Sequence, residues 1–196
     1  MNEEEREKHW EQQRLEGVIV RSLLPRHSQR TRRLEGFNKT PGNEAALAAT
    51  ADFLAGLINP PLLLFFGPKG LGKTRLAYHI AWTFIEEGAE FVLYYQAEDL
   101  LNTLQAAQVD GKEFGQLWRN LKDAELLILD DVGANNPSAW RESQMDAILD
   151  ARYREEKATI VTSNKLDFPE RMLDRLKEGR TVMLKGESWR GQGAGQ

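Results

Sequence analysis

Eight consecutive residues, Gly67-Pro68-Lys69-Gly70-Leu71-Gly72-Lys73-Thr74, carry the glycine spacing and closing Lys-Thr pair that curl a backbone around phosphate oxygens. Glycines let successive N–H groups point at one spot, and a helix opening there adds the positive end of its dipole. Lys73 then reaches the β and γ oxygens, and the Thr74 hydroxyl is placed to ligate Mg2+. The chemistry implied is binding of a nucleoside triphosphate such as ATP. Such a site also needs carboxylates, and the run Leu126-Leu127-Ile128-Leu129-Asp130-Asp131 supplies two. Asp130 would hold Mg2+, through water, and Asp131 would orient or deprotonate the attacking water. Two aspartates ending an apolar strand are by themselves weak, since carboxylates often end strands as turn formers or caps. The glycine-rich run puts the catalytic reading ahead. Thr162-Ser163-Asn164 ends a further strand, with Asn164 as the side chain to meet that water; a plain turn explains the tripeptide equally well. Arg171 and Arg175 stand four apart on one helical face. They either pair with carboxylates and solvent or send an arginine into a neighbouring subunit's ATP site, where such a residue contributes roughly 10³-fold or more.

The elements that must position these groups follow from periodicity. Leu62 to Phe66 is a continuous apolar run that leads into the glycines, as expected of a strand buried on both faces. After them, Leu76, Ile80 and Phe84 recur every four residues with Arg75, His79, Thr83 and Glu86 opposite, which predicts a helix that Gly88 stops. Strands are expected at Phe91 to Tyr95, Leu126 to Leu129, Thr159 to Thr162 and Thr181 to Leu184. Helices are expected at Glu44 to Leu57, at Glu98 to Leu121 with a break at Asp110-Gly111, at Ser138 to Glu156, and at Phe168 to Lys177. The last opens on Asp167-Phe168-Pro169-Glu170, a pattern that resembles a capping box. Alternating strands and helices imply a parallel sheet covered on both faces. A full strand and helix separate the glycine-rich run from Asp130, which fits ATPases with an added central strand better than simple nucleotide kinases.

Before this domain, residues 1–36 are charge-rich and read as an N-terminal arm, in which Trp10 and Leu15 offer an apolar contact for a partner. Residues 37–190 form the domain, and 191–196 a Gly/Gln tail. The 196-residue chain, 41% hydrophobic and 29% charged, has the composition of a globular protein. Absence of cysteine removes disulfides, zinc-thiolate clusters and a cysteine nucleophile. His9, His27 and His79 lack ligand-like spacing and are expected at the surface. No apolar run is long enough to cross a bilayer, so the expectation is a cytoplasmic protein without a membrane partner. A net charge of −4 leaves nucleic-acid binding to local basic surfaces. Lys112, Arg119 and Lys122 form one candidate, beside Phe114 and Trp118, whose helical spacing suits core packing better than base stacking.

Together these residues resemble the AAA+ replicative helicase loaders of the DnaC/DnaI type, with the IstB-type transposition ATPases close behind. The resemblance runs from about Phe37 to Arg190. It rests on Thr40-Pro41-Gly42-Asn43 with Ala45-Ala46-Leu47, the glycine-rich run, Leu126 to Gly133 with Ser138-Ala139-Trp140, and Arg152-Tyr153. Thr162-Ser163-Asn164, Asp174-Arg175-Leu176 and Gly186-Glu187-Ser188-Trp189-Arg190 complete it. It implies a three-layer α/β domain of the ASCE type with a parallel five-stranded sheet. It also implies Asn164 as first sensor, Arg175 as a finger acting in trans, and Arg190 as second sensor. The implied activity is ATP hydrolysis with Mg2+, stimulated by DNA or a partner, that releases a hexameric replicative helicase onto single-stranded DNA from subunits associating through the ATP site. The alternatives are a transposition helper ATPase acting on duplex DNA and a transposase, or a nucleotide-gated adaptor with little turnover. Three departures stand out. Asp131 is one methylene shorter than the glutamate usual in AAA+ proteins, which suggests slow hydrolysis. The arm has no cysteine, unlike the zinc-bearing N-terminal domain of DnaI-type loaders. Only Gly191 to Gln196 follow Arg190, so no helical lid is expected.

Overall fold

Period-two alternation decides which layer each strand residue joins. The computed structural model describes residues 3–35, 37, 39–133, 138–186 and 188. In β1 (Leu62–Phe66), Leu63 and Phe65 enter one hydrophobic cluster while Leu64 enters another on the opposite face. β3 (Leu126–Asp130) splits in the same way, Leu126 and Ile128 against Leu127 and Leu129, as does β4 (Ala158–Ser163), Ile160 against Val161. A strand apolar on both sides is stable only between two helical layers, and each such side chain contributes about 2 kcal/mol on full burial. β2 (Val92–Gln96) and β5 (Arg180–Met183) complete a five-stranded sheet, ordered β2-β3-β4-β1-β5 with every pair parallel. The expected α/β architecture is therefore the one observed.

One face carries α1 (Glu3–Ser22), α2 (Glu44–Leu54) and α3 (Lys73–Glu86). The other carries α4 (Ala97–Ala107), α5 (Gly111–Asp123), α6 (Ala139–Arg154) and α7 (Glu170–Glu178). The break at Asp110-Gly111 is a helix start, for the Asp110 carboxylate accepts from the N–H groups of Lys112 and Glu113. α2 stops at Leu54 instead of Leu57 because Gly56 turns the chain at a φ of 69°. The expected capping box at Asp167 is not formed. Pro169, extended at ψ 140°, holds the cap position without a side-chain bond, and α7 starts only at Glu170.

Residues of the charged N-terminal segment prove to be structural. Val18 and Leu24 are buried, Leu15 packs beside them, and a 3-10 turn follows at Arg26–Thr31. Trp82 Nε1 donates to Ser28 Oγ at 3.1 Å, and the Arg32 guanidinium lies over the Trp82 ring. Sequence periodicity gave α3 one apolar face, whereas Tyr78 and Trp82 are buried as well, and this second face is what the N-terminal segment covers. His79 accordingly sits half-buried against the carbonyl of Arg32. Trp10, 64% exposed, remains outside that packing.

On the other layer Arg152 is fully buried. Its guanidinium donates to the carbonyls of Leu121, Lys122, Ala124 and Ala158 and to Thr159 Oγ1, tying the end of α5 to the start of β4. Burial pushes its pKa down to about 9, which leaves it a cation at neutral pH.

Candidate active site

In a parallel sheet all strands end at one edge, and here β1, β3 and β4 deliver their chemistry to it side by side. The loop from Gly67 to Gly72 closes β1 and hands over to α3 at Lys73. Gly67 has a φ of 135°, and a Cβ there would lie 2.3 Å from the carbonyl oxygen of Leu184, so only glycine fits. Lys73 is 6% exposed. Its Nζ donates to the carbonyls of Gly67 at 2.7 Å and Pro68 at 2.9 Å and to Asn164 Oδ1 at 3.0 Å.

Asp130, buried at the end of β3, accepts three hydroxyls. Thr162 Oγ1 lies 2.6 Å from Oδ1, Thr74 Oγ1 lies 2.9 and 3.1 Å from the two oxygens, and Tyr94 Oη lies 2.9 Å from Oδ2. Asp131 follows in the left-handed region at a φ of 57°, which aspartate tolerates better than most side chains. Thr162 Oγ1 accepts its N–H at 2.9 Å, and its Oδ1 accepts from Asn164 Nδ2. Asn164 thus spans from the lysine to the second aspartate. A cleft of about 480 Å³ opens over these groups and includes Lys69, Gly70, Gly72, Asp131 and Asn164 in its wall.

A hydroxyl and a carboxylate in contact, Thr74 and Asp130, make a small oxygen donor set that suits Mg2+ with waters completing its shell. The structure brings the two residues expected at a metal, Thr74 and Asp130, into contact at the cleft.

Other expected residues fall elsewhere. Arg175 lies outside the cleft wall, its Nη2 donating to Asp150 and its Nη1 to the Arg171 carbonyl at 2.9 Å, with Asp146 Oδ1 at 3.6 Å. Within one chain, then, Arg175 and Arg171 join α7 to α6. Arg190 and the tail 191–196 lie outside the described residues; Ser188, two before Arg190, sits against Gly70. Lys112 and Arg119 are exposed on α5, Arg119 donating to Gln116, while Lys122 pairs with Glu155 at 2.8 Å. Phe114 and Trp118 stack on each other, 8° from parallel, and pack against the core.

Sequence reasoning missed Tyr78 and Tyr94 in the cleft, and Pro25, His27 and Thr31 from the N-terminal segment. It named Thr162 only as part of a strand end. A polar residue in a buried strand was the one available signal for Thr162 and Tyr94. For the N-terminal residues there was none, because charge masked the docking.

Residues 3–195 match the family of IstB-like ATP binding proteins. The chain belongs to that family. Among curated relatives, the IstB-like chain is 33% identical over 172 residues to the insertion sequence IS21 putative ATP-binding protein of Pseudomonas aeruginosa, covering 80% of this chain and 63% of the relative. It spans less than two thirds of the length of the curated relatives it matches. Among solved structures, the replication initiator DnaA bound to AMPPCP and single-stranded DNA superposes with a TM-score of 0.69 at 25% identity, over 79% of this chain and 50% of that one. The DnaC helicase loader superposes with a TM-score of 0.70 at 22% identity, over 82% of this chain and all of that one. The IstB-like chain is therefore an ATP-binding protein of AAA+ architecture. Among the described residues, no helix is long and apolar enough to cross a membrane.

Proposed function

We propose that the IstB-like chain is an ATP-hydrolysing switch that loads a hexameric replicative helicase onto single-stranded DNA and releases it on hydrolysis. The observation that carries the switch is the Asn164 side chain, bonded at one end to Lys73 and at the other to Asp131. A γ-phosphate at the loop competes for Lys73 Nζ, so nucleotide binding releases the oxygen end of Asn164. The freed amide then helps Asp131 align a water for in-line attack, with Asp131 accepting its proton. Mg2+, when held by Thr74 and Asp130, neutralises the developing phosphate charge. Asp131 reaches less far than a glutamate, so turnover is slow without DNA or partner.

Self-association brings Arg175 to a neighbour's γ-phosphate once it leaves Asp150 and Asp146. Single-stranded DNA follows the exposed Lys112 and Arg119 face of α5, a reading supported by the DNA-bound DnaA likeness. A second reading, a transposition helper acting with a transposase on duplex DNA, is favoured by the family match and the IS21 relative. Affinity capture from native lysate with ATP-loaded protein separates them. A replicative helicase supports loading and a transposase supports the second reading. Neither, from a lysate containing both, overturns the two together.

A further inference from the structure

Asp130 accepts from three side-chain hydroxyls that arrive from three different elements, α3, β2 and β4. Thr162 and Thr74 fill Oδ1 and bridge to Oδ2, yet a third hydroxyl, Tyr94 Oη, donates to Oδ2 at 2.9 Å. Tyr94 reaches it along the sheet. Register pairs Tyr94 with Ile128 and Gln96 with Asp130, so the phenol extends forward from β2 by the distance of two residues. Tyr78 Oη in turn donates to Tyr94 Oη at 3.2 Å, with ring centroids 5.2 Å apart. Thr74 and Tyr78 stand four apart on α3, on one helical face, so a single helix supplies both the hydroxyl that touches Asp130 and the one that steers Tyr94. The four side chains form a line of hydroxyls and carboxylate, Thr74 to Asp130 to Tyr94 to Tyr78, whose two ends both stand on α3. Both phenols are buried yet belong to the cleft wall.

We propose that Tyr94, steered by Tyr78, is a positioning residue that fixes the Asp130 carboxylate for the metal-bound form of the nucleotide. Tyr94 touches neither the phosphates nor the attacking water. Its hydroxyl takes up one lone pair of Oδ2, as Thr162 takes up one of Oδ1, and the two together set the rotation that turns the carboxylate toward Thr74. Outer-shell partners of this kind are worth roughly 10- to 100-fold in metal affinity. The proposal rests on the reading of Thr74 and Asp130 as the metal pair.

The test uses the full chain and its Tyr94→Phe and Tyr78→Phe variants, each first shown by melting temperature and circular dichroism to be folded. Binding of a fluorescent ATP analogue is titrated in EDTA and then against Mg2+. In EDTA both variants should bind as the parent does. The Mg2+ concentration for half-maximal enhancement should rise about tenfold in Tyr94→Phe, and by a smaller factor in the same direction in Tyr78→Phe. At saturating Mg2+ the analogue affinity should return to the parent's. An unchanged Mg2+ midpoint in a folded Tyr94→Phe overturns the proposal; should that variant not fold, an unchanged midpoint in Tyr78→Phe does so. Equal loss of binding with and without Mg2+ overturns it too, because the tyrosines would then serve packing alone. A parent chain indifferent to Mg2+ overturns the metal pair itself.

Discussion

Asn164 Oδ1 accepts from Lys73 Nζ at 3.0 Å while Asn164 Nδ2 donates to Asp131, so one side chain joins the lysine of the glycine-rich loop to the second aspartate of β3's end. Asn164→Ala should lower ATP turnover about 10²-fold and leave nucleotide binding little changed, since a group aligning the transition state is removed while the phosphate loop stays intact. Steady-state hydrolysis beside equilibrium binding of a fluorescent analogue measures both. Loss of binding in parallel with turnover would reduce Asn164 to a brace for the loop.

Lys73→Ala, by contrast, should abolish ATP binding itself. The lysine cation is buried among the carbonyls of Gly67 and Pro68, held at the base of the loop. Calorimetric titration that retained full affinity would move the phosphates elsewhere.

Arg175 is bound to Asp150 on α6 within its own chain, a bond that a finger acting on a neighbour must break. Arg175→Ala should cost about 1.5–3 kcal/mol in denaturant unfolding, the worth of a hydrogen bond to a charged group. Mixing Arg175→Ala with Asp131→Ala subunits should restore turnover in composite sites. No recovery at any ratio would confine Arg175 to joining α6 and α7.

Arg152→Leu should destabilise the chain by about 3 kcal/mol or more, because the carbonyls of Leu121, Lys122, Ala124 and Ala158 lose their donor in the interior. The leucine fills much of the volume, so the deficit in a urea melt reports unsatisfied carbonyls more than a cavity. A loss under 1 kcal/mol would mean that the carbonyls find other donors.

The pair between Lys122 and Glu155 gives a pH dependence with a defined sign. The hydrogen bond from Lys122 holds the Glu155 carboxyl below its ordinary 4.5, and the same contact holds Lys122 above 10.5. The Glu155 contribution is fully present above pH 4.5 and lost as pH falls through its lower folded value. That of Lys122 is present below pH 10.5 and lost as pH rises through its higher one. Glu155 is exposed and Lys122 partly so, and solvent screening keeps the effect small. Glu155→Gln should flatten the acid limb of melting temperature against pH. It also frees Lys122: if α5 carries DNA, affinity for single strands should rise, and the salt slope should steepen by about 0.7.

The sequence by itself determined the glycine-rich loop, the two aspartates that follow a buried strand and the five strands. Glycine spacing, a Lys-Thr pair and apolar runs act on neighbours a few residues away, and that range is what a linear pattern records. Asn164 was legible as a polar end to a buried strand, though its two bonds were not. Only the tertiary structure decided that Thr162 and Tyr94 grip Asp130, since those contacts depend on which strands pair and in what register. It alone placed Arg175 against Asp150 and sank Arg152 among carbonyls of α5 and β4. The largest revision concerns the charged N-terminal segment. Its charge reads as an arm with an apolar contact for a partner, but the second apolar face of α3 needs cover, and burial of Val18, Leu24 and Trp82 outweighs the hydration of the charges around them.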